Sequence, residues 1–536
     1  MIKARSWTGL GIVLLLAAPA LHAQPGGGTA VLSFAVQPRQ PLPVLAVTES
    51  DLGLEQMLYM HLTQQALQNG RIVEQTSAQN PMALARRWSF TGRDSTEIRY
   101  VLRRDARWSD GRPITAADVV YTYGLLEHPS LAAGQKSIAA LVERVRAEGD
   151  SAVTIRFRGR APGNVHASDV GIVPRHVYGT ADPATLPRHP AITAPAGRLV
   201  TSGPFRVTGW ENGTITLTRN PAFRPTPRLE RIVIRVQPDD GTRLVELQTG
   251  AVDFGRVRLG DLDALRRRVP GLQVYRQRNR AYDFIVYNPR AHPALADPEV
   301  RRALGQAIDT RRLLRALDLV GFASPAGGPY SPFFRELYDP AAQRPLAYDP
   351  ARAARILDAR GWAVGPDGIR RRGGQRLALT LLTHPESPRR RDAAVVVQAA
   401  WKAIGVDAQI QMMEQNALLP RLTAHQFDAA IFGWNTPTDP DLGPIFGPDQ
   451  PFNFGSFDDA AARLEMERGR AATSEAAANR HWRSAASRIA LLQPYTFLYY
   501  TDIVRAGSPR LRGVRVTDTH MYGNSWEWWV AGSARR

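Results

Sequence analysis

The sequence contains no cysteine. That excludes disulfides, thiolate metal sites, cysteine nucleophiles, CxxC redox motifs and lipid attachment at an N-terminal cysteine. Lysine is almost absent: it occupies only positions 3, 136 and 402, so 65 of the 68 basic residues are arginine. Long apolar runs are missing beyond the first residues, where a bilayer-crossing helix would need about 20. The usual catalytic signatures are missing as well. No GxSxG elbow, HExxH pair, P-loop or GxGxxG fingerprint occurs, which leaves no positive case for an enzyme. The 11 histidines are scattered, with no two at i, i+4. Single histidines such as His61 and His166 therefore read as structural, and no metal or other cofactor is expected. The acidic pairs Asp239-Asp240 and Asp458-Asp459 read as turns and helix caps rather than acid–base dyads.

What is present is an ordinary globular composition over 536 residues, 44% apolar and 22% charged, with a formal net charge of +19. Length alone suggests about three or four domains or lobes and a core large enough to need no staples. A basic balance of this size can signal an anionic partner. Here the runs at 266–268, 370–372 and 389–391 are short and far apart, with no basic arm, RNP-like motif or zinc-finger spacing beside them. Arginine-rich codon usage accounts for them, and no nucleic acid is expected. The N-terminus reads as a cleaved secretory signal over residues 1–23: Lys3 and Arg5, an apolar stretch at 10–20 (LGIVLLLAAPA), then small residues ending at Ala23. The expected product is exported and soluble in the periplasm.

Alternation predicts strands at 97–103 (EIRYVLR), 152–158 (AVTIRFR), 214–219 (TITLTR) and 231–236 (RIVIRV). Thr115 with Asp118 three residues on reads as a capping box opening a helix. Asp297-Pro298-Glu299 and Asp349-Pro350 each place an N-cap before a first-turn proline, and Gly361 is set to end the second of these helices. Between 376 and 434 the rhythm is strand (376–383), helix (392–404), strand (407–414), short helix (416–425), strand (427–434). Such a βαβ series predicts a mainly parallel sheet, with a ligand beyond the carboxyl ends of its strands, near Trp434.

Five segments together resemble one family. The stretch 100–126 (YVLRRDARWSDGRPITAADVVYTYGLL) matches the signature of the extracellular solute-binding proteins of peptide and nickel ABC importers at Trp108, Asp110, Gly111, Pro113, Thr115, Ala116, Asp118, Val119 and Val120. Four more agree in the family's order: 203–221 (GPFRVTGWENGTITLTRNP), 247–253 (LQTGAVD), 300–309 (VRRALGQAID) and 348–362 (YDPARAARILDARGW). The resemblance spans about residues 57 to 505. It implies an α/β fold of the two-lobed periplasmic-binding type (type II-like, large class) with an extra lobe inserted in the N-terminal half. The first lobe would comprise 24–70, 198–280 and 505–536, the inserted lobe 71–197, and a third, ligand-closing lobe 281–504. It also implies a peptide-like or other small solute as ligand, an inner-membrane ABC permease as partner, and a monomer. A periplasmic chaperone or sensor partner on the same fold is the alternative.

In peptide-binding members the strand entering the cleft reads G-W-x-x-D-x-x-[DE]-P, and that Asp pairs with the ligand's amine. Here the segment is Gly433-Trp434-Asn435-Thr436-Pro437-Thr438-Asp439-Pro440. Pro437 carries neither charge nor N–H, so a ligand without a free amine is expected, and an anionic one is compatible with the arginines. The expected ligand-binding residues are Trp434, Asn435, Thr436, Asp439, Tyr282, Tyr330, Asn453 and Tyr499.

Overall fold

The computed structural model describes residues 27–46, 48–68, 71–91, 96–129, 136–158, 169–385, 387–436, 440–472 and 474–532. The expected signal segment, His166, Pro437 and Asp439 lie outside them. Three main sheets organise the chain. A seven-stranded sheet runs in the order Gln273–Gln277, Ile503–Gly507, Phe254–Arg256, Thr29–Phe34, Arg231–Val236, Thr214–Arg219, Phe205–Glu211. A four-stranded sheet of Ala85–Thr91, Glu97–Leu102, Ala152–Phe157 and Val142–Ala147 comes from the chain between its first and later strands. A six-stranded sheet has the order Ala323–Pro325, Tyr495–Thr501, Ala281–Tyr287, Ala429–Asn435, Ala378–Thr383, Asp407–Met412. Among the described residues no helix is long and apolar enough to cross a membrane.

Local chemistry explains most elements. Thr115 N–H donates to Asp118 Oδ2 (2.9 Å), closing the expected box on helix Ala116–Glu127. Asp118 also accepts from Arg175 N–H (2.9 Å), so the cap ties two elements together. Asp297, Asp349, Asp239 and Asp459 each accept from the first turn of the helix they precede. Gly111 adopts φ +89, which a turn residue with a Cβ would rarely tolerate.

Two readings are corrected. The six-stranded sheet is mixed. Ala378–Thr383 is parallel to Asp407–Met412 and Ala429–Asn435, but Ala281–Tyr287 pairs antiparallel with Ala429–Asn435 and with Tyr495–Thr501. Those two strands are the ones that connect directly to the seven-stranded sheet, one entering from it and one leaving toward it, outside the βαβ rhythm that predicted parallel pairing. The helix expected at 392–404 is Pro388–Ala403, capped by Ser387. Its first turn holds Arg389, Arg390 and Arg391, the wrong charge for a helix N-terminus.

The seven- and six-stranded sheets are joined by two short crossings. One passes from Gln273–Gln277 to Ala281–Tyr287 through Arg278, Asn279 and Arg280, the other from Tyr495–Thr501 to Ile503–Gly507 through Asp502. Arg276 pairs with Asp502 across the two crossings. Arg278 pairs with Asp518 at 3.2 Å. Arg505 Nη1 donates to Gln277 Oε1 at 2.9 Å on the first-lobe side. Two connections this short restrict relative movement of the lobes to rotation about one line, the geometry of a hinge.

Candidate functional site: the hinge end of the six-stranded sheet

The strands Ala281–Tyr287 and Ala429–Asn435 meet the crossings at one end, with Tyr282 opposite Trp434 and Asp283 opposite Gly433. Alternation sends these two pairs to opposite faces.

The Tyr282 face is aromatic. Phe284 lies 6.2 Å from Trp434, and Phe454 5.2 Å from it, both stacked; Phe452 meets it edge-on at 5.4 Å. Trp434 is half-buried, and Phe452 is exposed at the rim. Tyr282 is buried, and its hydroxyl finds no hydrogen-bond partner among the described residues. Tyr330 joins the same cluster, its hydroxyl donating to the Pro440 carbonyl. Thr436 Oγ1 donates to the Arg280 carbonyl at 2.8 Å, and Ser331 Oγ to the Asn279 carbonyl at 2.8 Å. The loops carrying Thr436 and Ser331 are thereby fastened to the hinge. Arg280 itself is half-buried, with its guanidinium carbon 5.7 Å from the Phe333 ring centroid.

The opposite face is ionic. Asp283, 3% exposed, accepts from Arg389 Nε (3.1 Å), Arg390 Nη2 (3.0 Å) and the Tyr499 hydroxyl (2.9 Å). Burial pushes its carboxyl up, but Arg389, Arg390 and the hydrogen bonds outweigh burial and hold it below its ordinary value. Arg390 also meets His384 Nε2 at 2.9 Å. A Cβ on Gly433 would stand 2.2 Å from both Arg390 Nη2 and Asp283 Oδ1. Glycine there is the space the ion cluster needs. This acid, reached from another strand, engages two of the three arginines in the first turn of Pro388–Ala403, and Arg391 pairs with Asp392 at 3.0 Å.

The expected site residues divide accordingly. Trp434, Tyr282 and Tyr330 share the aromatic face. Asn435 is exposed at its edge. Thr436 serves the hinge carbonyl. Asn453 donates to the Gly447 and Phe457 carbonyls (2.9 and 2.8 Å) and accepts from Phe457 N–H (2.8 Å), so its amide holds the loop carrying Phe452 and Phe454. Tyr499 lies on the ionic face. Sequence reasoning missed Arg280, Asp283, Arg389, Arg390 and Phe452. The only local signals were the arginine run at 389–391 and the spacing Arg276, Arg278, Arg280.

Two lobes of α/β structure, a double-stranded hinge and an aromatic wall at the hinge end of one sheet define a hinged binding protein. Residues 81–451 match the family of bacterial extracellular solute-binding proteins, family 5 (middle). The chain is 27% identical over 441 residues to the oligopeptide-binding protein AppA of Bacillus subtilis, covering 80% of each. It is 32% identical over 380 residues to protein XP55 of Streptomyces lividans, covering 70% of this chain and 66% of that one. The structure of the same AppA in complex with a nonapeptide superimposes with a TM-score of 0.75 at 25% identity, over 94% of this chain and 99% of that one. NikZ from Campylobacter jejuni in complex with Ni(L-His) has the same fold, with a TM-score of 0.75 at 19% identity over 93% and 99% of the two chains. The protein belongs to this family of extracellular solute-binding proteins, and its role is that of the substrate-binding component of an ABC importer.

Proposed function

We propose that the protein captures a peptide-like or other small solute between its lobes in the periplasm and presents the closed form to an inner-membrane permease, acting as a monomer without bond chemistry after removal of residues 1–23. The reading rests on relatives named for peptide binding, and on one observation in this chain: the aromatic wall of Trp434, Phe452 and Phe454 lies at the two-crossing hinge. A half-buried tryptophan edge beside an exposed phenylalanine can cover apolar solute surface as the lobes close, and hydrogen bonds then fix orientation. The experiment is isothermal calorimetry and intrinsic tryptophan fluorescence on the purified full chain, against pooled peptides with free and with acetylated amino termini. Saturable binding at micromolar or tighter affinity, with a change in tryptophan emission, is the expected result. Absence of binding by any peptide pool, with the fold intact, would remove the peptide-like ligand from this reading.

A further inference from the structure

Along the outgoing hinge strand three arginines alternate: Arg276, Arg278 and Arg280. The first pairs with Asp502 and the second with Asp518. The third has no carboxylate among the described residues, and its one contact of note is the face of Phe333. Burial pulls its guanidinium down to about 10, with no acid among the described residues acting to raise it. A half-buried, unpaired cation is unfavourable in a folded chain, and an arginine is tolerated there when something outside the chain completes it. Two further observations place it beside the aromatic face at the hinge. Arg280 directly precedes the strand whose Tyr282 faces Trp434, and its carbonyl is held by Thr436 at the end of the partner strand. The Tyr282 hydroxyl, two residues on and therefore on the same face, is buried with no partner among the described residues. Both unmet groups can donate, and the complement of a guanidinium is an oxyanion.

We propose that Arg280 is the specificity-determining residue of the cleft, binding a carboxylate or phosphate oxyanion of the solute at the hinge. The proposal deepens the reading of this cleft as the solute site and rests on it. It predicts that charge recognition is seated on the hinge itself, so that ligand charge and lobe closure are coupled. The acid-saturated cluster at Asp283 does not take this part, because its arginines are already engaged.

The test compares the full chain with Arg280→Met and Arg280→Lys by thermal unfolding in chloride, sodium acetate and inorganic phosphate at equal ionic strength. In chloride, Arg280→Met should melt at or slightly above the parent temperature, since it removes a desolvated unpaired charge and keeps the stem. A lower melting temperature in chloride would show that the guanidinium is structural and overturn the proposal. At about 100 mM, acetate or phosphate should raise the parent's melting temperature by roughly 2 °C relative to chloride, leave Arg280→Met unmoved and give Arg280→Lys an intermediate shift. Acetate alone acting identifies a carboxylate, phosphate alone a phosphate group. Equal shifts in parent and Arg280→Met, or none in either, overturn the proposal. These readouts need no peptide. An Arg280-dependent anion shift without peptide binding would break the peptide-like reading while sustaining this one, and peptide binding insensitive to Arg280→Met would do the reverse.

Discussion

Arg280 and Asp283 stand three residues apart at the same end of one strand, and their surroundings are opposite. Asp283 is buried and saturated, with two arginines and a tyrosine hydroxyl on its two oxygens. Arg280 is half-buried and has no such partner among the described residues. Both charges are withdrawn from water, but among the described residues only one is completed. A completed cluster specifies architecture: it lets an arginine-rich helix start abut a sheet and fixes Gly433 by space. An incomplete one is a vacancy in the charge pattern that a solute can fill. The same contrast separates the two faces of the sheet, and it gives each substitution there a different expected signature.

The largest effect should come from breaking the completed side. Asp283→Ala leaves Arg389 and Arg390 facing each other at a helix N-terminus, and truncating one partner of a buried ionic cluster costs about 3–5 kcal/mol. Urea unfolding at neutral pH should show that loss as a lower midpoint with unchanged slope. A loss below 1 kcal/mol would mean that water, not Asp283, stabilises the two arginines. The carboxyl is held below its ordinary value, so this contribution is present above the unfolded-state pKa of about 4 and is lost as pH falls through the folded one.

A second completed cluster, outside the six-stranded sheet, sharpens the comparison. His61 sits between Glu55 (Nε2···Oε1 2.6 Å) and Asp169 (Nδ1···Oδ1 2.8 Å). Burial alone would depress its imidazole, but Asp169 and Glu55 together raise it well above its ordinary value. The cluster's stabilisation is therefore complete below about pH 6.5 and fades as pH rises through the folded pKa. His520 is the counterpart: burial drives it down to about 4, so its neutral form is native and its contribution is lost as pH falls below about 6.5. His61→Gln should cost about 1.5–3 kcal/mol at pH 6, the range for hydrogen bonds to charged groups, and less at pH 9. Chemical denaturation at the two pH values checks this, and an equal loss at both would show that His61 is neutral in the folded chain.

Elements fixed by neighbours in sequence were legible: the capping box at Thr115, the Asp-Pro helix starts at 297 and 349, and the alternating strands. The family signature around Trp108–Val120 proved legible for the same reason, and its residues cap and turn the inserted lobe rather than line the hinge. The candidate site's arrangement was legible only where a single strand carried it, as at Gly433-Trp434. The start of the helix at Pro388 was hidden because its arginines contradict the dipole rule unless Asp283, more than 100 positions away, is known to meet them. The vacancy at Arg280 was hidden because it is defined by which arginines are paired, and Asp502 pairs with Arg276 from 226 residues along the chain.

On the incomplete side, effects should fall on binding before stability. Trp434→Ala removes the ring that stacks on Phe454 and meets Phe452, and solute affinity should drop about tenfold or more, close to 1.4 kcal/mol. Trp434→Phe should recover most of it by keeping an aromatic face. Calorimetry with the bound solute decides this; equal affinity in Trp434→Ala would place the solute elsewhere in the cleft.

The smallest expected effect tests whether the two sides communicate through the hinge. Thr436→Val keeps the shape of the side chain and deletes the donor to the Arg280 carbonyl, a bond of 2.8 Å. One such neutral hydrogen bond is worth about 1 kcal/mol, and the orphaned carbonyl can turn toward water at the hinge. Stability should therefore fall by about that much. If the bond also aims Arg280, the anion-dependent rise in melting temperature should shrink in this variant although the guanidinium is intact. A stability loss with an undiminished anion shift would mean that Arg280 is positioned by Phe333 and the strand alone, and that the loop at Thr436 only closes over a charge already in place.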